Sequence, residues 1–365
     1  MKVAIITCYK YPDYGRAVSL RAALMSTKSF QTIVIKNSYH GLLRYPEVLI
    51  KTCKAKLRDR PDMYLITFRG YEILPFVLLL AQGKPVILDE LVNPLEVVHE
   101  HQLHKRKLKG RVMALWSVFA GIYRWLLRRC ELVIADTTAQ ATYSSKLSGI
   151  PISRYRVIPV GADERIFKPV MHRHDQQSAQ SKFTVLYYGS MVPLHGLSYV
   201  LGAARLLKDR PDINFLLVGG NSHTVQQIDD ARQSGAHIDY LKWIEPNKLP
   251  AVIAGASLCL GGPFGNTKQS QLVITGKTYQ LLASAAPVLI GKTKVLEANK
   301  LFSDKVNCLM VPQANPKAIV EAIIWAEAHA SELETIGHAG NKLYNQHFSE
   351  SVISFKLVTS LKELG

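Results

Sequence analysis

Short runs of β-branched and other apolar residues recur along this chain, each followed by a polar turn and a stretch of helical periodicity. In the first part they fall at residues 3–7, 32–36, 63–67, 85–88, 132–135 and 157–159. Strands that alternate with helices pair in parallel, because the intervening helix returns the chain to the starting end of the sheet. The alternation stops at Lys168-Pro169, and residues 171–181 (MHRHDQQSAQS) are polar and aperiodic, as a linker is. A second series begins at 183–188 and continues at 214–218, 237–241, 256–260, 287–290 and 308–311. The expected class is α/β, with two doubly wound, Rossmann-like domains built on parallel sheets. The first covers 1–168 and the second 182–348, with a linker at 169–181. A terminal helix at 349–365 is expected to pack back toward the first domain.

At 365 residues, 48% hydrophobic and 20% charged, the chain has enough apolar material for two cores, which excludes a disordered chain. The longest apolar stretches, 73–81 and 112–123, fall short of the ~20 residues of a membrane span. Residues 1–7 are too short for a signal-peptide core. Cys8, Cys53, Cys130, Cys259 and Cys308 are odd in number and form no C-x-x-C pair. They read as reduced core residues of a cytoplasmic protein.

The formal charge of +17 is unevenly spread. Residues 1–168 hold 27 Lys and Arg against 13 Asp and Glu, whereas the remainder holds 18 against 15. A basic half beside a nearly neutral one implies that the first domain faces something anionic. The densest cluster is Lys105, Arg106, Lys107, Lys109 and Arg111, leading into an aromatic helix that closes with Arg128 and Arg129. Trp116, Phe119 and Tyr123 share one face of that helix, which suits either a lipid interface or the domain's own core. His99, His101 and His104 have the look of a metal tract, but in a charged helical segment they read as a solvated face. No metal or other cofactor is expected.

Ligands of open α/β sheets bind at the carboxyl ends of the strands, so the loops there carry the candidate site. The strand at 183–188 runs into Gly189-Ser190, and the loop closes at His195-Gly196. Such a turn aims backbone N–H groups and a helix N-terminus at an anion. The strand at 214–218 ends in Gly219-Gly220-Asn221. Gly265-Asn266-Thr267 forms a third loop, followed by Thr275-Gly276-Lys277, where Thr275 can cap a helix whose first turn carries Lys277.

These stretches resemble the retaining family 4 glycosyltransferases (glycosyl transferases group 1) of the GT-B fold, over nearly the whole chain. The likeness is carried by Val133-Ile-Ala-Asp136-Thr-Thr, by 156–169 (RVIPVGADERIFKP), by Tyr187-Tyr-Gly-Ser190 with His195-Gly196-Leu197, by Leu217-Val-Gly-Gly220, and by 279–288 (YQLLASAAPV). The chain also departs from the family pattern. Leu272 and Gln280 stand where many members have a pair of Glu, and an amide lacks the carboxylate's charge. Ser190 and His195 occupy a loop where members usually carry Arg and Lys. Asp89 and Glu90 stand where members commonly have His after a first-domain strand.

The resemblance implies two domains facing a central cleft and transfer of a sugar from a UDP- or GDP-sugar with retention. It places Gly189, Ser190, Lys277 and His195 on the diphosphate and Gln280 on the ribose. Gly196, Gly219, Gly265, Asn266, Thr267, Gly276 and Tyr279 belong to the donor loops. Gly15 lets its loop approach the donor, Arg16 can meet phosphate, and Asp89 or Glu90 can orient the acceptor hydroxyl. Trp243 is open between base stacking and a core position, and Glu297 between a donor sugar hydroxyl and a surface ion pair. For acceptor, the basic first domain suits a polyprenyl-diphosphate-linked or glycan chain at the inner membrane face, in cell-surface glycan assembly. Lys105, Arg106, Lys107, Lys109, Arg111 and Trp116 would supply the peripheral membrane contact. Other classes stay open: a catalytically silent subunit that scaffolds an active partner, a nucleotide-sugar epimerase of related fold, and a nucleic-acid binder. No recognisable reading motif accompanies the basic residues to support the last.

Overall fold

The computed structural model describes residues 1–96, 110–169 and 182–364, with the backbone alone over 110–116. His99, His101, His104, Lys105, Arg106, Lys107, Lys109 and linker residues 170–181 lie outside the described residues, as do the side chains of Arg111 and Trp116. The chain divides into two compact units, Met1–Val160 with Glu350–Gly365, and Gly161–Ser349.

The first unit runs β1 (Lys2–Thr7), α1 (Gly15–Met25), β2 (Gln31–Lys36), α2 (Arg44–Arg58), β3 (Met63–Ile66), α3 (Leu74–Ala81), β4 (Val86–Asp89), α4 (Gly110–Leu127), β5 (Leu132–Ala135), α5 (Thr138–Ser148) and β6 (Tyr155–Val157). The second runs β7 (Phe183–Gly189), α6 (Leu197–Leu206), β8 (Ile213–Gly219), α7 (Ser222–Gln233), β9 (Ile238–Leu241), α8 (Leu249–Ala254), β10 (Leu258–Leu260), α9 (Gly276–Ala283), β11 (Val288–Lys292), α10 (Lys294–Asn299), β12 (Leu309–Pro312), α11 (Pro316–Ala328) and α12 (Ala330–His347). Then α13 (Glu350–Lys362) returns to the first unit.

Both sheets are six-stranded and parallel, ordered β2-β1-β3-β4-β5-β6 and β12-β11-β10-β7-β8-β9. Alternate residues of each strand enter different cores, so the central strands are apolar throughout. In the first unit Ala4, Ile6, Tyr64, Ile66 and Leu88 pack beneath α2, α3, α4 and α5. Val3, Ile5, Leu65 and Ile87 pack against α1 and α13 on the opposite face. Local signals set the helix ends: Thr137 accepts the Gln140 N–H at the start of α5, and Gly149 (φ 71°) ends it in the left-handed region.

One boundary and one helix face differ from the sequence reading. Residues 161–168 group with the second unit, because the Tyr344 hydroxyl on α12 accepts the Ala162 N–H (3.2 Å) and donates to Glu164 (3.0 Å). The aromatic face of α4 is also rotated from the expected one. Tyr123 is buried, while Val118, Phe119, Ile122 and Trp125 are exposed. A periodic stripe shows that a helix has faces, and the sheet beneath decides which one is covered.

Arg16, expected to meet phosphate, is instead the hub of the first unit. It is buried, its Nε and Nη2 donate to Asp89 (3.1 and 2.9 Å), and its Nη1 donates to the carbonyls of Ile158 and Pro159. One side chain thereby ties α1 to the ends of β4 and β6. Removing one partner of a buried ion pair leaves an uncompensated charge, at a cost of ~3–5 kcal/mol. Arg16→Met is therefore expected to lower the urea midpoint markedly. Pairing it with Asp89→Leu should recover much of that loss, as measured by denaturation of both variants.

Candidate active site

In the second sheet the chain builds outward from β7 to β8 and β9, then resumes on the other side of β7 at β10. Crossovers diverge at such a reversal and leave a crevice beyond the carboxyl ends of the two strands. The loops after β7 and β10 meet there, backbone against backbone. Gly265 N–H donates to Leu194 O (3.0 Å), and a Cβ on Gly196 would stand 2.5 Å from Gly265 N and from Phe264 C. A Cβ on Gly265 would stand 2.3 Å from Pro193 O, and one on Gly219 2.3 Å from Gly189 O. Gly196, Gly219 and Gly265, read from the sequence as donor-loop glycines, are required first by this close packing.

That packing fixes His195 and Lys277. The Tyr187 hydroxyl donates to the His195 carbonyl (2.8 Å), and the Lys277 ammonium lies 4.1 Å from the centroid of the Tyr187 ring. A Cβ on Gly189 would lie 3.8 Å from Lys277 Nζ and 3.8 Å from His195 Nδ1, so the two nitrogens face one small space. Both are buried and unpartnered. Burial depresses Lys277 to about 7, and burial together with Lys277 holds His195 well below the ordinary histidine value. Thr275 stands at the N-cap of α9 without accepting a backbone N–H of its first turn; its Oγ1 donates to Gly261 O (2.6 Å) and also meets the Thr278 hydroxyl (3.0 Å). The arrangement is built for an anion: two unsatisfied nitrogens beside a helix N-terminus.

The other predicted residues are distributed as follows. Ser190 and Gly276 are exposed at the same loops, and Gly276 borders open space. Gln280 is half-buried, and its Oε1 accepts the Tyr188 hydroxyl (3.0 Å), which orients the amide. Tyr279 is instead fully buried, edge-on to Phe348 (5.1 Å), and lies behind the site as packing. Thr267 is engaged in a turn with Ser270, and Asn266 beside it is exposed. Trp243 is 68% exposed beyond β9, which removes its core reading. Glu297 is exposed on α10. Sequence reasoning missed Tyr187 and Tyr188 as positioning residues. Their signal was two consecutive aromatic residues at the carboxyl end of a strand.

In the first unit Gly15 borders open space at the start of α1. Asp89 and Glu90 do not reach solvent, so neither is placed to orient an acceptor. Asp89 is held by Arg16. Glu90 receives the hydroxyls of Tyr123 and Ser144, and burial raises its carboxyl to about 7. Among the described residues no group of three or more His, Cys, Asp or Glu side chains converges as metal ligands would.

Residues 182–328 match the glycosyl transferases group 1 family. The second unit is a glycosyl transferases group 1 domain. Over its whole length the chain is similar in structure to Anabaena Alr3699/HepE in complex with UDP-glucose (TM-score 0.73, 15% identity, 100% of each chain). It is equally similar to the sucrose-phosphate synthase of Thermosynechococcus elongatus (TM-score 0.73, 14% identity, 100% of this chain and 99% of that one). It also resembles a mutant of S. aureus TarM solved with fondaparinux, α-GlcNAc-glycerol and UDP (TM-score 0.61, 13% identity, 86% of this chain and 58% of that one). Identities this low establish the fold, GT-B. No curated relative matches the chain.

A buried, unpartnered ammonium destabilises the group 1 domain wherever the unfolded chain holds that proton more tightly than the folded one. Between pH 7 and the ordinary lysine value the unfolded state binds more protons, so ligand-free stability should rise with pH across that window. Below it the penalty is complete. Lys277→Met should flatten this dependence and raise Tm by about 4 °C at pH 7, the shift that ~1–2 kcal/mol produces in a unit of this size. Calorimetry of both proteins from pH 6 to 9 measures it.

Proposed function

We propose that the chain transfers a hexosyl group from a nucleoside-diphosphate sugar, UDP- or GDP-linked, to a lipid-linked or polysaccharide acceptor with retention. The observation that carries the reading is the pair of unpartnered buried nitrogens, Lys277 Nζ and His195 Nδ1, beside the N-terminus of α9. A diphosphate is the donor group whose charge and size answer that pair. Gly189, Ser190 and Gly276 would supply backbone contacts, and the Gln280 amide held by Tyr188 would meet the ribose. The exposed Trp243 is assigned to the base and Glu297 to a sugar hydroxyl. Two of the structural neighbours were solved with UDP or UDP-glucose, which agrees with a UDP-linked donor.

In the transfer, the bond from the anomeric carbon to the diphosphate oxygen breaks while the acceptor oxygen bonds to the same face of the sugar. The acceptor's proton passes to the departing phosphate oxygen, so no protein carboxylate need act as base, in keeping with the burial of Asp89 and Glu90. Negative charge grows on the diphosphate as the anomeric carbon becomes oxocarbenium-like. Lys277, made cationic by that charge, and a neutral His195 donating one N–H stabilise the leaving group in place of a bound metal. The basic first unit fits an acceptor carried on a polyprenyl diphosphate at the cytoplasmic membrane face, in cell-surface glycan assembly. Gln280 and Leu272 also permit the second reading, a silent scaffold subunit.

The test is nucleoside diphosphate release from a panel of UDP- and GDP-sugars, with and without bacterial lipid extract. Release that needs one donor and the extract is expected, and Lys277→Met should lower it by about 100-fold or more. A folded protein that releases nothing from any donor is the scaffold. Neutralising Lys105, Arg106, Lys107, Lys109 and Arg111 together should weaken sedimentation with anionic vesicles, most strongly at low salt.

A further inference from the structure

The helices α2, α3 and α4 connect β2 to β3, β3 to β4 and β4 to β5. β3, β4 and β5 are neighbours in the sheet, and all three helices cover the same face, so their outer sides form one surface. That surface is apolar at separated points. Leu57 and Leu79 are each 75% exposed, Ile50 55%, Val118 60%, Ile122 53% and Trp125 51%. On α2 the exposed positions are i and i+7, and on α4 they are i, i+4 and i+7, so each set points away from the sheet. None of these residues has a covering element among the described residues.

Apart from one glutamate, the charges on the same helices are positive. Glu47 is the single carboxylate in the sequences of α2, α3 and α4. It is occupied by Lys51 (2.7 Å) and by the backbone N–H groups of Ser38 and Tyr39. Lys54 and Arg58 on α2, Arg124 on α4, and Arg128 and Arg129 just past its end are exposed. The Arg129 guanidinium lies 3.5 Å from the centroid of the Trp125 ring, which keeps a cation over an exposed aromatic face. A second copy of the chain would set one positive face against another. Nucleic acid would use the cations and leave the leucines, isoleucines and tryptophan without a role. An anionic bilayer takes both, because apolar side chains enter the acyl boundary while Lys and Arg heads stay at the phosphates.

We propose that the outer faces of α2, α3 and α4 are the surface by which the first unit docks on an anionic lipid bilayer. This rests on the peripheral-membrane reading above, and it extends the docking to apolar side chains and α2 cations that reading did not name.

The experiment is co-sedimentation of the full chain with vesicles of phosphatidylcholine alone and with added phosphatidylglycerol. The wild type is expected to partition onto the phosphatidylglycerol vesicles, less so as salt is raised. The triple variant Ile50→Ser, Leu79→Ser, Trp125→Ser should partition at least ~10-fold less at every salt concentration. Lys54→Gln, Arg58→Gln, Arg128→Gln should weaken binding and flatten its salt dependence. All six positions are exposed, and an unchanged Tm verifies folding. Wild-type binding that the triple variant retains overturns the docking face and leaves the peripheral reading standing. Absence of wild-type binding to either vesicle overturns both. Absence of vesicle binding with salt-sensitive retention on immobilised polyglutamate, lost in the triple variant, would make the occupant an acidic protein and overturn the lipid assignment.

Discussion

The ammonium of Lys277 stands where no carboxylate among the described residues bonds to it, over the ring of Tyr187 and facing the same space as His195. Left alone, such a group is a liability, since a buried polar nitrogen without a partner costs free energy. The surrounding structure holds it there nonetheless. Gly196 and Gly265 bring two loops into backbone contact, Tyr187 pins the carbonyl of His195, and Thr275 gives its hydroxyl to Gly261 and Thr278 rather than to a backbone N–H of α9. Each choice leaves donors unpaired at one point. An anion bound there, as proposed above, would recover the stability the free protein forgoes, which is how a preorganised electrostatic site works.

The first unit places its ionisable groups the opposite way. Arg16 pairs with Oδ1 of Asp89, whose Oδ2 has no partner, and Glu90 is bonded by the hydroxyls of Tyr123 and Ser144. Burial raises both Glu90 and Asp136 to about 7, so these carboxyls are shielded groups of the core rather than anions on display. What the unit presents to its surroundings is the other sign. Lys54, Arg58, Arg124, Arg128 and Arg129 stand exposed along its outer helices. The two units therefore divide the electrostatics: one conceals Lys277, and the other displays cations over a broad surface.

How much of this was legible follows from what a sequence encodes locally. The strands were readable because a parallel strand covered on both faces is apolar throughout, and the site loops because they follow those strands. Lys277 stood out as a cation in the first turn of a helix. The misreadings share one cause, that distance in space is not written in local pattern. Arg16 beside Gly15 looked like a phosphate contact, but its partners lie at Asp89, Ile158 and Pro159. Tyr279 sits one residue from Gln280 and points into the core against Phe348 instead. The glycines of the donor loops were recognisable as special, yet whether each makes room for a ligand or for another backbone depends on a loop some 70 residues away.

The rotation of α4 has the widest consequence. Reading Trp116, Phe119 and Tyr123 as one face makes the helix an isolated amphipath. With Tyr123 turned inward to Glu90, the side that remains outward carries Val118, Ile122 and Trp125. That side continues onto α2 and α3 because the sheet orders β3, β4 and β5 consecutively. Tyr123, with Ala120, Leu126 and Leu127, forms the side of α4 that the core claims, and by exclusion the rest is what the first unit offers to whatever lies outside it.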